Sequence, residues 1–492
     1  LDFALAILFL ILYYVRPHEW LAWVSPLQPI AKVLVLGLVV VFFRVAQRVE
    51  WRPLRFIGEL LRTPNDWILL AFTLWVVYAS GSPQDTFGSF YPVLAYYILV
   101  QHALSTARRM ESFLWVWLGL LLFIAIMAVL SQYDVDPFGS QRRTLGMYKG
   151  RLSLNLSIFN NPNALAHSVV MVLPMIYFLA IWRRFLLAKE LSVLLYIMPA
   201  WCLFLTQSKG GYISGATGVL ATQVIGRPKW VQVTLLTVTY VGGVSALMLL
   251  PRMYELDSIR SDRGFQGRLL VWNFGWTSLQ TLPKGVGYGR FMQRAPEYVE
   301  GKVRFRKPAH SSYVEVGAEL GKAGLFLWLG ILYYSLKTLV RMQGRTDQEE
   351  RIRRLLFCLV VIYVASSWMT NISYRGTHFI QLGVIAAFYR LMQRAPQAAL
   401  AVDDGNVVTR LGLGTEATAT GPVSPAAMPA AAPPPLERIE AAQANDPGGE
   451  SPLPWVPRRR IAWLLVDVLL IYVVYRLVLR AWLYFMIEWT GV

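Results

Sequence analysis

Long apolar runs alternate with short polar segments along most of this chain. They fall near 2–15, 29–43, 66–80, 88–104, 112–130, 163–181, 190–207, 211–225, 231–250, 312–340, 353–370 and 376–392, with a further run at 461–485. A chain that crosses lipid in many short passes must satisfy its backbone hydrogen bonds within each pass, so each run predicts a helix. Runs shorter than the roughly 20 residues of a straight span are expected to extend into their flanks. The pattern predicts an all-α polytopic membrane protein of about 12 transmembrane helices, plus one extra C-terminal transmembrane helix.

The loops give this pattern a direction. Those after the second, fourth, sixth, eighth and tenth helices are basic, from Arg44, Arg48, Arg52, Arg55 and Arg62 through Arg108 and Arg109 to Arg183, Arg184 and Lys189. Arg227 with Lys229, and then Arg341, Arg345, Arg351, Arg353 and Arg354, continue the series. The positive-inside rule places these loops and the N-terminus in the cytoplasm. The 81–87 loop on the other side has no Lys or Arg. Two outward loops depart from this. Residues 131–162 carry Arg142, Arg143, Lys149 and Arg151 against Asp134 and Asp136, and the large loop at 251–310 carries eight Arg and three Lys against five acids. A long loop can escape the rule, but outward cations on an apolar scaffold invite an anionic ligand.

Composition supports the membrane reading. Only 15% of residues are charged and 55% are hydrophobic, where a soluble domain carries about a quarter charged. Most soluble enzyme classes are thereby excluded. The net charge of +18 would suggest nucleic acid in a soluble protein; here the cytoplasmic loops account for much of it, and no nucleic-acid partner is expected. Cys202 and Cys358 sit inside apolar runs, so neither a disulfide framework nor a cysteine metal site is expected. Leu1 opens directly into an apolar run, and no cleavable signal peptide is recognisable.

Beyond the bundle the composition changes. Residues 395–457 are rich in Ala, Pro, Gly and Glu, with ten of the 27 prolines between Pro422 and Pro457. Such a segment cannot build a core, which predicts a disordered cytoplasmic linker at 395–457 between a membrane core at 1–394 and a last transmembrane helix at 458–492. Asp467, Arg476 and Arg480 lie within that helix. Intramembrane charges face protein or water, so the helix is expected to dock on the bundle or on a protein partner; for Arg480, snorkelling at the outer interface is the other reading. If it only recruits a partner, removing residues 396–492 leaves catalysis intact.

Candidate chemistry is sparse. His18, His102, His167 and His378 read as structural or interfacial, and no His, Asp, Glu or Cys cluster has metal-ligand spacing, so no metal and no cofactor are expected. No P-loop, dinucleotide fingerprint or nucleophile elbow occurs in a suitable context, and Gly285-Val286-Gly287-Tyr288-Gly289 reads as a turn. ATP-driven transport within the chain is excluded. His310 stands apart, at the end of the cationic loop in Lys307-Pro308-Ala309-His310-Ser311-Ser312-Tyr313-Val314-Glu315. Ser312 and Glu315 have capping-box spacing, so a helix starts here with its free amides at the outer face. Neighbouring cations keep such a histidine neutral at pH 7, and a neutral imidazole can take a proton from a hydroxyl. In the same loop Arg268 and Trp272 lie one turn apart, and Arg suits bidentate phosphate recognition. Lys209, in the turn Ser208-Lys209-Gly210-Gly211, is either a third anion-binding cation or an interfacial anchor.

Four stretches occur in order: Arg151-Leu152-Ser153 through Asn160-Asn161-Pro162-Asn163-Ala164-Leu165-Ala166; Ser208-Lys209-Gly210-Gly211; Gly267-Arg268 to Trp272; and His310-Ser311 through Glu315 and Glu319-Leu320-Gly321 to Gly324. Together they resemble the bacterial O-antigen ligase and polymerase superfamily, which includes protein O-oligosaccharyltransferases, over roughly residues 60–392. The resemblance implies a helical GT-C-type glycosyltransferase of the bacterial inner membrane. It implies transfer of a glycan from undecaprenyl diphosphate to a hydroxyl at the periplasmic face, without metal and with inversion. Carried over, His310 is the base that activates the acceptor, and Arg268 holds the diphosphate. Lys209 stands where the family usually has Arg, which keeps the charge and loses the fork. Arg151 joins the diphosphate site, and Asn160 and Asn163 line the same cavity, with Trp272, Tyr313 and Glu315 as further candidate cavity residues. The acceptor is lipid A-core for a ligase, another lipid-linked glycan for a polymerase, or a protein hydroxyl; the ligase fits the name-giving motifs. A non-enzymatic lipid-glycan transporter, using the cations only to bind, is the alternative from another class.

Overall fold

The computed structural model describes residues 1–183, 190, 192–235, 237–238, 263–300, 303–410 and 461–490. Its main helices are α1 (Asp2–Val15), α2 (Pro29–Arg48), α3 (Pro64–Ala79), α4 (Pro83–Ala103), α5 (Ala107–Leu130) and α6 (Pro162–Val170). They continue with α7 (Ile197–Thr206), α8 (Lys209–Val224), α9 (Arg263–Thr281), α10 (Ser312–Arg341), α11 (Asp347–Ser366), α12 (Gly376–Arg410) and α13 (Ile461–Thr490). Much of the run expected at 231–250 and the first part of the 251–310 loop fall at 239–262, outside the described residues. So do Arg184, Lys189 and residues 411–460 of the expected linker.

Helix starts follow local chemistry. Pro29, Pro64, Pro83 and Pro162 open α2, α3, α4 and α6, where a missing N–H costs nothing. Thr63 and Asp66 make a reciprocal capping box at α3. Thr346 caps α11, and Asp347, Glu349 and Glu350 in its first turn carry the helix six residues ahead of the apolar run. Among the described residues, Ser25–Arg48, Ala107–Tyr133, Pro162–Ile181 and Ser312–Arg341 are long and apolar enough to cross a membrane. Among the other expected spans, α1, α3 and α7 are helices of 14, 16 and 10 residues. Within this mostly helical chain a short two-stranded antiparallel hairpin, β1 (Glu297–Glu300) with β2 (Val303–Arg306), lies in the loop before α10. Its segments, EYVE and VRFR, alternate charged with aromatic or β-branched residues, which is a strand pattern inside a loop.

The two ends of the bundle differ in kind. At one end the basic loops meet acids: Arg44 and Arg109 converge on Asp2, Arg62 and Arg390 on Glu59, Arg351 on Glu111, and Arg353 and Arg354 on Glu350. The loops after α1, α3, α5, α7 and α11 meet at the other end. There the Ser157 amide and hydroxyl donate to Glu19, Arg290 reaches Ser82 at 3.1 Å, and Arg375 reaches the Ile158 carbonyl at 2.8 Å. The alternation of basic and non-basic loops is thus built into the packing.

Helix α10 is the central element, with α3, α9, α11 and α13 against it. At Gly321 (φ 68°) its helical hydrogen bonding breaks, and side partners take the released carbonyls. Val286 and Gly287 donate their amides to Ala318 and Glu319 at 2.9 Å, and the Trp75 indole donates to Leu320 at 2.8 Å. A Cβ at Gly285 would lie 2.4 Å from the Glu319 carbonyl carbon, so only glycine lets the 283–291 turn dock there. The Glu319 carboxylate accepts the Phe291 amide at 2.9 Å and holds the far side of that turn.

Helix α13 runs antiparallel along α10. Asp467, 1% exposed, pairs with Lys337 and accepts from the Tyr333 hydroxyl at 2.8 Å. Arg476 and Arg480 lie on its exposed face, where Arg476 donates to the Tyr472 hydroxyl.

Candidate functional site

The site is assembled from three segments at the end opposite the ion-paired one. The first is the entry to α10. Ser311 caps the helix, its hydroxyl accepting from the Val314 amide. The expected Ser312–Glu315 capping box does not form, because both side chains are engaged elsewhere. The Ser312 hydroxyl donates to Thr370 and accepts from the Ile372 amide, each at 2.9 Å, and the Glu315 carboxylate accepts from Asn371 and Ser373 at 2.8 Å. These bonds stitch the start of α10 to the turn after α11. His310 precedes this anchored start in a left-handed conformation (φ 51°), which is uncommon for a residue with a side chain and gathers at functional positions.

The second segment is α9 with the strand that returns from the hairpin. The Trp272 indole donates to the Ala309 carbonyl at 2.8 Å, so α9 grips the backbone one residue before His310. Arg268 lies one turn earlier on the same helix. A Cβ at Gly267 would sit 2.3 Å from the Lys307 ammonium nitrogen, so Lys307 lies across the bare backbone beside Arg268. Arg304 and Arg306 on β2 are exposed, while Lys307, just after the strand, turns inward.

The third segment joins two earlier motifs. Arg151 donates to the Thr206 carbonyl at 3.1 Å and to the Asn163 side-chain oxygen at 2.9 Å. The Ser208 hydroxyl donates to that same oxygen at 2.9 Å while capping α8 through the Gly211 amide. Asn161 caps α6 by accepting from the Asn163 amide, and Asn160 lies partly buried just before it. Lys209 is the first residue of α8, directly beside this bridge. Gly210 and Gly211 let it come close, since a Cβ at either would lie under 3 Å from Met369 or Ala166.

Electrostatics tie the segments together. The His310 imidazole is pushed down to about 3, first by burial and then by Arg268, Lys307 and Arg151, in that order. It is therefore neutral at pH 7. The same burial and cations weaken it as a base, so it takes a proton from a hydroxyl as the cations receive negative charge. Among the described residues, no three His, Cys, Asp or Glu side chains come together as a metal would require.

Not every expected residue lies in this group. Tyr313 is 2% exposed, stacked on Trp368 at 4.4 Å, edge-on to Trp328, and bonded through its hydroxyl to Val364. Expected as a cavity residue, it is a packing residue because its ring faces the α11 side. Trp272 is 9% exposed and its indole is engaged, so it holds the His310 turn and offers no open ring face. Glu315 is held by Asn371 and Ser373 and secures the helix start. Sequence reasoning left Lys307 unassigned, since nothing in the run Lys302, Arg304, Arg306, Lys307 says which cation turns inward. The hairpin decides it. It also missed Arg375, which pins the 155–161 loop through Ile158.

Residues 194–329 match the family model described as O-Antigen ligase. That span holds Lys209, Arg268, Trp272, His310, Tyr313 and Glu315, and it follows Arg151, Asn160 and Asn163 in the chain. No curated protein matches the sequence.

Proposed function

We propose that this chain transfers a glycan from an undecaprenyl-diphosphate carrier to a hydroxyl acceptor, at the periplasmic face of the bacterial inner membrane, as a ligase; the O-Antigen ligase family match over residues 194–329 supports the reading. The observation that carries the reading is the neutral His310 imidazole under Arg268, Lys307 and Arg151.

The acceptor hydroxyl attacks the anomeric carbon from the side opposite the diphosphate, which inverts the configuration. As the carbon–oxygen bond to the diphosphate breaks, that electron pair stays on the leaving oxygen, and Arg268, Lys307 and Arg151 receive its charge. The hydroxyl proton passes to His310. Prepositioned cations in a partly dehydrated site need no reorganisation as this charge develops, and removing one such stabiliser typically costs about 10²–10³ in rate. The lipid-linked bond is already activated, so orientation and a base suffice. Lys209 stands at the same end as a single-point cation where a fork would bind two oxygens.

The test is incubation of purified protein with a defined undecaprenyl-diphosphate glycan and, separately, lipid A-core, a second lipid-linked glycan, and a hydroxyl-bearing protein, each with and without chelator. Transfer to lipid A-core unaffected by chelator is the expected result. Transfer to the glycan or the protein would make it a polymerase or a protein O-oligosaccharyltransferase, and donor binding without any transfer would leave a transporter.

A further inference from the structure

The last helix lies against the two elements that hold the site. On α9, residues 268, 272 and 275 are spaced i, i+4, i+7 and share a face. Arg268 and Trp272 serve the site from that face, and the third position is Gly275. On α10, seven residues beyond His310, stands Gly317. Trp482 of α13 fills the space between these glycines: a Cβ at Gly275 or at Gly317 would lie 3.1 Å from its six-membered ring. Trp482 is 0% exposed, and its ring meets Trp276 edge-on at 5.5 Å. One turn on, Phe485 meets Trp272 edge-on at 6.2 Å, behind the indole that grips Ala309. A Cβ at Gly275 would also lie 2.7 Å from Val314 of α10, so the indole and Val314 together set the separation of α9 and α10 at this level.

We propose that α13 is a working part of the transfer site, with Trp482 and Phe485 as positioning residues that set the Arg268–His310 spacing. The proposal rests on the transfer reading above. The helix is more than a recruitment device, so removing residues 396–492 abolishes turnover. Side chains acting through α9 alter how charge and base are aligned, and a misplacement of about 1 Å can cost ~10²-fold in rate.

The experiment uses the full chain in lipid nanodiscs, with Trp482→Ala, Trp482→Phe and Phe485→Ala. Turnover is measured together with the distance between spin labels on Thr277→Cys and Lys322→Cys, two exposed positions on α9 and α10. Trp482→Ala is expected to lower kcat about 10- to 100-fold, leave donor KM within about twofold, and shift or broaden the label distance. Trp482→Phe restores most of both readouts. Phe485→Ala, a milder change at a partly exposed ring, moves both in the same direction and keeps the test open if Trp482→Ala fails to accumulate. Unchanged kcat in Trp482→Ala or Phe485→Ala, or lowered kcat with an unchanged distance, overturns the proposal. A wild-type chain that transfers no glycan at all refutes the transfer reading instead, and the positioning role falls with it.

Discussion

His310 carries two unusual properties at one residue, a left-handed backbone and an imidazole that stays neutral far below its ordinary range. The left-handed region costs most side chains about 1–2 kcal/mol, whereas asparagine tolerates it. His310→Asn should therefore keep the turn and remove the base, lowering kcat by about 10²–10⁴-fold with little change in thermal stability. The pH dependence follows from the depressed value. In the unfolded chain the imidazole binds a proton near 6.5, but the folded site refuses it until about 3, so stability falls as pH drops through that window and is fully present above it. Activity persists below pH 6.5 for the same reason. Arg268→Gln removes a cation that opposes protonation. The acid limb of its kcat/KM profile should move to higher pH, and an unmoved limb would mean that Arg268 does not act on His310.

The elements add constraints that no single residue shows. The break in α10 at Gly321 is held because the 283–291 turn and Trp75 donate N–H groups to the carbonyls it releases. Gly321→Ala would force a side chain into a conformation reserved for glycine, 2.3 Å from the Pro283 carbonyl oxygen. It should lower stability by about 2 kcal/mol or more, read as a fall in thermal midpoint, and loosen the turn that Glu319 anchors. The Lys337–Asp467 pair tests α13 separately. Asp467→Leu alone leaves a buried ammonium without its carboxylate and should destabilise by about 3–5 kcal/mol. The double change Lys337→Met with Asp467→Leu should recover most of that loss, and equal damage in both would show that the pair contributes shape alone. Apolar runs made nearly all these helices legible, because a membrane helix and its hydrophobicity are one physical fact. The kink and the hairpin were hidden, since both depend on which distant backbone groups come to meet them.

At the scale of the whole molecule, charge is sorted by partner. Basic loops at one end find Asp2, Glu59, Glu111 and Glu350, whereas at the other Arg268, Lys307 and Arg151 gather around a histidine. The segregation of basic and non-basic loops to opposite ends was readable from loop composition. That Arg151 is positioned through Asn163, on another helix, was not. Nor did the motifs show that Trp272 and Tyr313, expected as cavity residues, are turned into the packing. The central claim is that His310 is the base of a transfer reaction. It is tested most directly by single-turnover glycan transfer in wild type and His310→Asn, with donor binding measured on the same samples. Equal donor binding and a transfer rate lower by at least about 10²-fold in the variant are expected. Transfer at the wild-type rate with donor bound would contradict it.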